Sequence, residues 1–364
     1  MLPEQRKLIM ENQELLYSFR KRGTDLPKKE LNLLAKKMGV SYVTMQKSIK
    51  KLEQNNIILD ANNFLLNSDF AYFVGFYVTD NSIEVEVLDF QLEPIEVEKI
   101  IPEFQNKVSY DNIHDNEIKI IEEMIEKLSE FIPIEAASIV FNKCMSYSKN
   151  GNNLAYYESN HNLELCPSSI LLNNSRGLME STVLKNMFIG DDVLTYLLYL
   201  REKVFESDSI VYYDLDQNRI SYIMNNILKK SSNPVFGMIF PRYTQQQNAL
   251  FQKLEKATEN EYSNILIDNK ELLLDTVENI YLQIKAILDP EHFVFGGRWL
   301  RKGEFEDFIF TNNRIFNKYK HIANTLFVNS SSSSLFKVVN RDSQSQKGAG
   351  IYAAYSYFNW DLKW

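Results

Sequence analysis

The chain has 364 residues, 45% of them hydrophobic, with a formal net charge of −8, so it is long enough for two or three domains with sizeable cores. It contains no run of about 18 apolar residues and begins with a polar segment, so we expect a cytoplasmic protein without membrane insertion or a signal peptide. Cys144 and Cys166, with four histidines, suggest neither a disulfide framework nor a zinc cluster, and His161 between them leaves too few ligands for a closed tetrahedral site.

Residues 27–66 predict a helix, a tight turn, a second helix and a short hairpin, the layout of a winged helix-turn-helix. The first helix has apolar residues at helical spacing, namely Leu31, Leu34, Ala35 and Met38. Gly39 stands where the chain must leave this helix, a position that favours a residue free to take a positive φ. Ser41 then offers a side-chain oxygen to the N–H groups that open the next helix.

The second helix is predicted to point Val43, Ile49 and Leu52 inward. Its outward positions are polar and rich in lysine: Tyr42, Thr44, Gln46, Lys47, Lys50 and Lys51. The major groove accepts a helix of this kind, and we expect these residues and Ser41 to face double-stranded DNA. Lysines of the first helix would supply contacts to the DNA backbone, and asparagines would lie at the tip of the wing: Lys28, Lys29, Lys36, Lys37, Asn62 and Asn63.

Charge supports this hypothesis. Residues 1–60 hold 12 Lys and Arg against 7 Asp and Glu, although the whole chain is acidic. A basic head on an acidic body confines attraction to nucleic acid to one end of the chain. The alternative is a lysine-rich, solvated helix pair that contacts acidic protein partners.

Beyond residue 67 the pattern is that of an α/β body. Two β-prone stretches, Tyr72–Val78 and Ile83–Phe90, flank the turn-forming residues 79–82. Near the other end, a helix over Leu272–Leu288 precedes an apolar strand at His292–Phe295, and Gly296-Gly297 would turn the chain into the next segment. The last helix carries small residues that allow it to lie close against a sheet: Gly348, Ala349, Gly350, Ala353 and Ala354.

In this order, the winged helix, the hairpin, the DPE…FGG strand and the GAG…AA terminal helix resemble the ROK family of sugar-responsive repressors and sugar kinases. The resemblance implies a body similar to actin and hexokinase (ribonuclease H-like), with two α/β lobes, each built on a mixed five-stranded sheet. We therefore expect a winged-helix domain at 1–67, a first lobe at 68–225 and a second lobe at 226–364, whose terminal helix packs back toward the first lobe.

The sequence departs from the kinases of that family at three places. Their phosphate loop, Asp-x-Gly-Gly-Thr, corresponds here to residues 77–81, where side chains and Asp80 disfavour close approach of a phosphate. Their Gly-Glu-x-Gly-His segment and cysteine-rich zinc loop have no counterpart between Pro234 and Pro290. These departures indicate a protein that is not an enzyme and binds no cofactor.

The third departure concerns the family's sugar-binding segment, Glu-Asn-Asp-Ala-Asn, which lies between a strand and a helix. The best match is residues 214–218, where the resemblance would place Asp216 as the sugar-facing base, Asn218 as a second sugar contact and Asp214 beside them. Leu215 replaces an amide and leaves sugar hydroxyls unpaired. Alternatively, Asp214 is a strand-end carboxylate and Asp216 caps a helix. Gly296 and Gly297 could approach a ligand or serve only the turn.

The sequence thus predicts a DNA-binding transcriptional regulator, a repressor that binds its operator as a homodimer or tetramer and responds to a sugar or protein effector. A sugar kinase with an appended DNA-binding head is the alternative from another class, and a protein-interaction scaffold is the third.

Overall fold

Contacts between residues divide the chain into two compact units. The first unit is Met1–Glu202 together with the segment that begins at Ser345, and the second is Lys203–Gln344. The sequence-based lobe boundary at residue 225 lies about twenty residues later than the division at Lys203. The computed structural model describes residues 1–22, 28–79, 82–109, 117–141, 145–147, 154–156, 186–205, 207, 209–216, 218–224, 227–230, 243–297, 299–312, 337–340 and 344–360.

The first unit opens with four helices and a two-stranded antiparallel hairpin. They are α1 (Pro3–Glu11), α2 (Gln13–Arg22), α3 (Lys28–Lys37), α4 (Tyr42–Gln54), β1 (Ile58–Asp60) and β2 (Leu65–Leu66). Phe19 of α2 stacks on Phe64 of the hairpin with ring centroids 4.9 Å apart, so α2 and the hairpin share an apolar contact. This is the predicted winged helix-turn-helix, with α3 and α4 as its two helices.

A mixed five-stranded sheet forms the remainder of the first unit. Its strands, in the spatial order β5-β4-β3-β6-β9, are β3 (Tyr72–Val78), β4 (Ser82–Leu88), β5 (Lys107–Ser109), β6 (Ile134–Phe141) and β9 (Met187–Gly190). β4 runs antiparallel to β3 and β5, whereas β3, β6 and β9 are parallel. The other elements are α5 (Val97–Ile100), α6 (Glu117–Ser129), the hairpin β7 (Met145–Tyr147) and β8 (Leu154–Tyr156), and α7 (Asp192–Lys203).

The central strand β3 is covered on both faces, and its near-continuous apolar sequence follows from that. On one face, Val74 and Phe76 join a core with α6 residues such as Ile125. On the other face lies the last helix of the chain (Ser345–Phe358), and a Cβ added to Gly75 would stand 2.1 Å from the Gln346 carbonyl oxygen. The small residues of the terminal helix therefore allow close packing on the sheet, as the sequence predicted.

The second unit holds another mixed five-stranded sheet, in the order β12-β11-β10-β13-β14. Its elements are β10 (Ser209–Asp214), β11 (Arg219–Met224), β12 (Ile227–Lys230), α8 (Gln245–Lys256), α9 (Glu259–Asp268), α10 (Lys270–Leu288), β13 (His292–Gly297), α11 (Lys302–Asn312) and β14 (Lys337–Asn340). The last helix of the chain, Ser345–Phe358, belongs to the first unit and is called α12. Strand β11 runs antiparallel to its neighbours β10 and β12, whereas β13 runs parallel to its neighbours β10 and β14.

The structure confirms the predicted fold class. An N-terminal winged helix is followed by an α/β body with two mixed five-stranded sheets. The strand Tyr72–Val78 and the helix over Leu272–Leu288 lie where they were predicted. Among the described residues, no helix combines the length and the apolar composition needed to cross a membrane. Several predicted features lie outside the described residues: Asp80, Asn81, Cys144, His161 and Cys166.

Candidate nucleic-acid interface

The turn between α3 and α4 is fixed by local hydrogen bonds. Gly39 adopts a φ of +68°, and its N–H donates to the carbonyl of Lys36 at 3.0 Å. The N–H of Val40 donates to the carbonyl of Ala35, also at 3.0 Å. This pair of bonds is the Schellman motif, in which a left-handed residue ends the helix and satisfies its last carbonyls. Glycine takes that conformation without steric cost, which is why it is found here.

Ser41 starts the second helix as predicted. Its backbone is extended, and its Oγ accepts a hydrogen bond from the Thr44 N–H at 3.1 Å. The Ser41 and Thr44 hydroxyls also bond each other at 2.8 Å. These hydrogen bonds engage the Ser41 hydroxyl in capping the helix. Any contact of this side chain with DNA would have to share the same oxygen atom.

The inward face of α4 differs from the prediction by one residue. Met45, Ile49 and Leu52 are buried, whereas Val43, predicted to point inward, has 63% of its surface exposed. Positions 45, 49 and 52 follow the spacing i, i+4, i+7 of one helical face, and position 43 lies roughly 160° away from Met45 at about 100° per residue. Val43 is therefore apolar but lies out of helical phase with the buried stripe, and its predicted inward position is wrong.

The outward face of α4 carries exposed lysines. Lys47, Lys50 and Lys51 are all exposed, and at about 100° per residue they centre roughly opposite the buried stripe. Thr44 is exposed beside them. The remaining predicted positions are Tyr42 and Gln46, which are half-buried and joined by a hydrogen bond from the Gln46 amide to the Tyr42 hydroxyl at 3.2 Å.

The end of α4 leads directly into the hairpin. Asn56 adopts a φ of +57°, and its N–H donates to the backbone carbonyl of Glu53. The N–H of Ile57 donates to the backbone carbonyl of Leu52 at 3.0 Å. This is a second Schellman end, with an asparagine in the left-handed position that asparagine tolerates. The Glu53 carboxylate accepts from the Ala61 N–H at 2.9 Å and so ties the helix to the tip of the hairpin.

Asp60 organises the tip of the wing. Its carboxylate accepts hydrogen bonds from the N–H groups of Asn62 at 2.7 Å and Asn63 at 3.3 Å, and from the Asn63 side-chain amide at 2.7 Å. The bond from the Asn62 backbone is the main cause that lowers the pKa of Asp60, so the tip keeps a negative charge at neutral pH. Asn62 and Asn63 are exposed as predicted, but the Asn63 amide is held by Asp60.

The four lysines of α3 have different surroundings. Lys29 and Lys36 are exposed, and the side chain of Lys28 lies outside the described residues. Lys37 pairs with Glu14 of α2 at 3.2 Å, so part of its charge is used within the protein.

The second predicted site is a β-hairpin rather than a strand followed by a helix. Asp214 ends β10, and Arg219 directly opposite begins β11. Asn218 adopts a φ of +52° in the turn between them. Asp216 is therefore not a helix cap, and the predicted strand-to-helix match is wrong for this segment. β-prone residues after the turn, such as Ile220 and Tyr222, explain the strand.

The structure brings the predicted ligand residues of this hairpin close to the two glycines. Asp214 pairs with Gly296 across parallel strands, and a Cβ on Gly297 would stand 2.8 Å from an Asp216 carboxylate oxygen. Gly296 and Gly297 continue β13 instead of turning, so the predicted turn is wrong. Asp214 is fully buried and accepts from the Tyr212 hydroxyl at 3.2 Å.

The glycines are required by close packing. A Cβ on Gly296 would lie 2.1 Å from the Tyr212 hydroxyl oxygen, a distance that the neighbouring ring could relieve only by moving. Leu215 is fully buried in the apolar core of the second unit. Among the described residues, no group of three or more His, Cys, Asp or Glu side chains could hold a metal ion.

Comparisons with known proteins identify the fold. No model of a known protein family matches the sequence, and no curated protein is similar to it. A solved structure, that of a ROK family transcriptional regulator homologous to the E. coli MLC protein, is similar over 98% of this chain and 98% of that chain, at 11% identity and a TM-score of 0.52. The chain has the fold of a ROK-family regulator.

Two further ROK structures are similar over a shorter part of the chain. One is a ROK hexokinase from Thermus thermophilus, with 12% identity, a TM-score of 0.48, and coverage of 79% of this chain and 99% of that chain. The other is a ROK family protein from Streptococcus pneumoniae in complex with sucrose, with 11% identity, a TM-score of 0.48, and coverage of 79% and 100%.

The first unit also contains a strand-to-helix junction that the sequence analysis did not single out. A strand followed directly by a helix, with carboxylates at the junction, occurs where β9 ends at Gly190 and α7 begins at Asp192. Asp191 accepts from the Leu194 N–H at 3.1 Å and so caps α7, and Asp192 is buried. The apolar run before Gly190 and the two aspartates after it were a usable signal, but the segment falls where the resemblance was faint.

Proposed function

We propose that this protein is a DNA-binding transcriptional regulator, a repressor that acts as a homodimer or tetramer. The observation that carries the proposal is the outward face of α4, where Val43, Thr44, Lys47, Lys50 and Lys51 are exposed on a helix anchored by its opposite face. A rigid helix with polar and cationic side chains outside and a packed stripe inside fits the major groove.

In this proposal the parts of the head have separate tasks. The lysines of α4 neutralise phosphates, and Thr44 with its neighbours at the start of the helix reads base edges. Lys29 and Lys36 of α3 add backbone contacts, whereas Asp60 makes the wing tip a poor partner for phosphate. Two heads in a dimer would bind half-sites about one helical turn apart or a multiple of it.

The body is proposed to bind an effector, a sugar or another protein, without catalysing a reaction. Leu215 is a core residue, and Asp214 is buried in a hydrogen bond with Tyr212. Neither side chain is therefore available to hold a sugar hydroxyl for phosphoryl transfer. An effector that prefers one arrangement of the body would shift the population of DNA-competent dimers.

The decisive experiment is a genome-wide footprint of the purified protein, followed by binding to the recovered duplex and to a scrambled duplex of the same composition. We expect a recurrent two-fold site that is bound at least about 1,000-fold more tightly than the scrambled duplex. Equal binding to both duplexes, or protection nowhere, would refute the regulator and favour the protein-interaction scaffold.

A parallel assay addresses the kinase alternative. ATP consumption over a panel of hexoses should stay at the level without protein, and Asp216→Asn should leave operator binding unchanged. Sugar-dependent ATP turnover that Asp216→Asn abolishes would show that the body is an enzyme after all.

A further inference from the structure

Two cations of the first two helices bind the C-terminal ends of two helices of the body. On α1, the Nε and Nη2 atoms of Arg6 donate to the backbone carbonyl of Tyr357, at 3.0 Å for Nε. On α2, the Lys21 ammonium donates to the backbone carbonyl of Arg201 at 2.8 Å and to that of Glu202. Tyr357 is the second-last residue of α12, and Arg201 and Glu202 lie in the last turn of α7. We call Arg6 and Lys21 the docking pair.

The C-terminal end of a helix is a favourable place for such cations. Its last carbonyls lack donors within the helix, and the helix dipole places a partial negative charge there. In α12, Asn359 takes the left-handed conformation with a φ of +51°, and this Schellman end satisfies the carbonyls of Tyr355 and Ser356. The carbonyl that follows them, that of Tyr357, is the one that Arg6 binds. A side chain of the head therefore completes the end of a body helix.

Contacts between cations and aromatic rings strengthen both attachments. The Arg6 guanidinium lies 4.4 Å from the centre of the Tyr357 ring. Arg20, which precedes Lys21 on α2, has a side chain that is 4% exposed, and its guanidinium lies 4.5 Å from the centre of the Trp360 ring. Such contacts contribute more where water is excluded. Helices α1 and α2 are thus attached to the body by two distinct sets of contacts.

The two body helices that receive the docking pair are packed backbone against backbone. A Cβ added to Gly348 of α12 would lie 2.6 Å from the carbonyl oxygen of Thr195 in α7. Helix α7 begins directly after β9, and its 12 residues span about 18 Å, so it connects the carboxyl end of that strand to Lys21. Because closely packed elements shift as units, a rearrangement of the body that moves one of these two helices also moves the other.

We propose that Arg6 and Lys21 are one docking device, which fixes the orientation of the head on the first lobe and opens and closes as a single unit. A change in the body that displaces the C-terminal ends of α7 and α12 reaches the head through these two side chains. The inference concerns the attachment of the head to the body and is measured without DNA, so it does not depend on the regulator proposal.

The test is hydrogen–deuterium exchange of the full chain, followed by mass spectrometry of its peptides, in the variants Arg6→Met and Lys21→Met. Methionine keeps a long unbranched side chain and removes the charged donors. The carbonyls that Lys21 binds belong to α7 and the carbonyl that Arg6 binds belongs to α12, so each variant has a remote readout at the helix that the other residue binds.

We expect Lys21→Met to accelerate exchange at the end of α12 by about tenfold, and Arg6→Met to do the same at the end of α7. The loss of a hydrogen bond from a charged group is of that size, and a device that opens as one unit loses protection at both helix ends. The peptide that covers β3 (Tyr72–Val78) should exchange at the same rate in all variants, because the sheet stays folded. Arg6→Lys keeps a cation at the Tyr357 carbonyl and should reverse most of the effect of Arg6→Met.

Lys7→Met is the matched control. Lys7 is the neighbour of Arg6 on α1, is 78% exposed and pairs with Glu11 of the same helix at 3.8 Å, so we expect its removal to change exchange at neither helix end. If Lys7→Met accelerates exchange there as much as the docking variants do, the effect belongs to overall charge and the proposal is wrong.

Two other results would also overturn the proposal. Faster exchange confined to the helix that each residue itself binds would show two independent contacts, and equal acceleration in β3 would show a general loss of stability. If Lys21→Met does not fold, Arg6→Met decides alone through the end of α7, because the half-buried Arg6 side chain is the more tolerant position of the two.

Discussion

The three lysines of α4 allow a quantitative test of the DNA interface. Lys47, Lys50 and Lys51 are exposed on the side of the helix opposite Met45, Ile49 and Leu52, so their removal leaves the packed stripe intact. We therefore expect the triple alanine variant to fold like the unchanged protein. Alanine also has the highest helix propensity, so the helix itself should not weaken.

The expected effect follows from counterion release. Each phosphate that a lysine neutralises contributes about 0.9 to the slope of log affinity against log salt. Three contacts contribute about 2.7, which corresponds to a roughly 40-fold loss of affinity between 50 and 200 mM salt. The triple variant should lose this part of the salt dependence, and its affinity should fall similarly for specific and scrambled duplexes.

Fluorescence anisotropy with a labelled duplex, measured at five salt concentrations, gives the slopes. The control removes the same charge elsewhere in the first unit, by alanine substitution of Lys99, Lys107 and Lys119, which are 75%, 59% and 73% exposed. We expect the control slope to match that of the unchanged protein. If both triple variants reduce the slope equally, or if neither does, α4 is not the surface that meets DNA.

Three further predictions concern single residues. Gly75→Ala should destabilise the first unit by about 3 kcal/mol or more, because the new Cβ would meet the backbone of α12 at 2.1 and 2.2 Å. Gly303→Ala is the control and should cost no stability, because nothing lies within 4 Å of its new Cβ. Urea unfolding measures the free energy of unfolding of both variants. Burial alone would raise the pKa of Glu202, but the nearby charges of Arg20 and Lys21 outweigh burial and lower the pKa below 4.5. The Glu202 carboxylate therefore stabilises the fold above pH 4.5, and this contribution is lost as the pH falls through the folded-state pKa. The difference in Tm between the unchanged protein and Glu202→Gln should thus shrink below pH 4.5, and a constant difference down to pH 3 would refute this. If the exposed Val43 contacts a thymine methyl group, Val43→Ala should weaken binding to the specific site by about 1 kcal/mol without changing the salt slope. Replacing that thymine by uracil should then remove the difference in affinity between Val43→Ala and the unchanged protein.

Local signals predicted the head of the chain well. Gly39 and Ser41 act within one helical turn of their own positions, so the turn and the cap could be read from neighbouring residues alone. Strand β3 was similarly clear, because burial on both faces demands a continuous apolar run. In each case the interaction that fixes the backbone lies close in sequence or is reflected in composition.

The segment after β10 could not be predicted in the same way. Asp214 to Asn218 contain residues that suit both a helix start and a tight turn, and the choice is made by the pairing of β11 with β10 and of β10 with β13. Likewise, the need for glycine at Gly296 comes from the Tyr212 ring on the neighbouring strand, about eighty residues earlier. Contacts at such separations leave no periodic signal in a single sequence.

Helix α2 contacts both the wing and the body of the first unit. Phe19 packs on Phe64 of the wing, and the next residue, Arg20, reaches Glu202 of α7 and Trp360. Adjacent residues on a helix cannot move independently, so a change in the body that repositions Arg20 would also shift the apolar contact that supports the wing. An effector that moves α2 and a duplex on α4 would therefore act on the same rigid element, and any coupling between them must be equal in both directions.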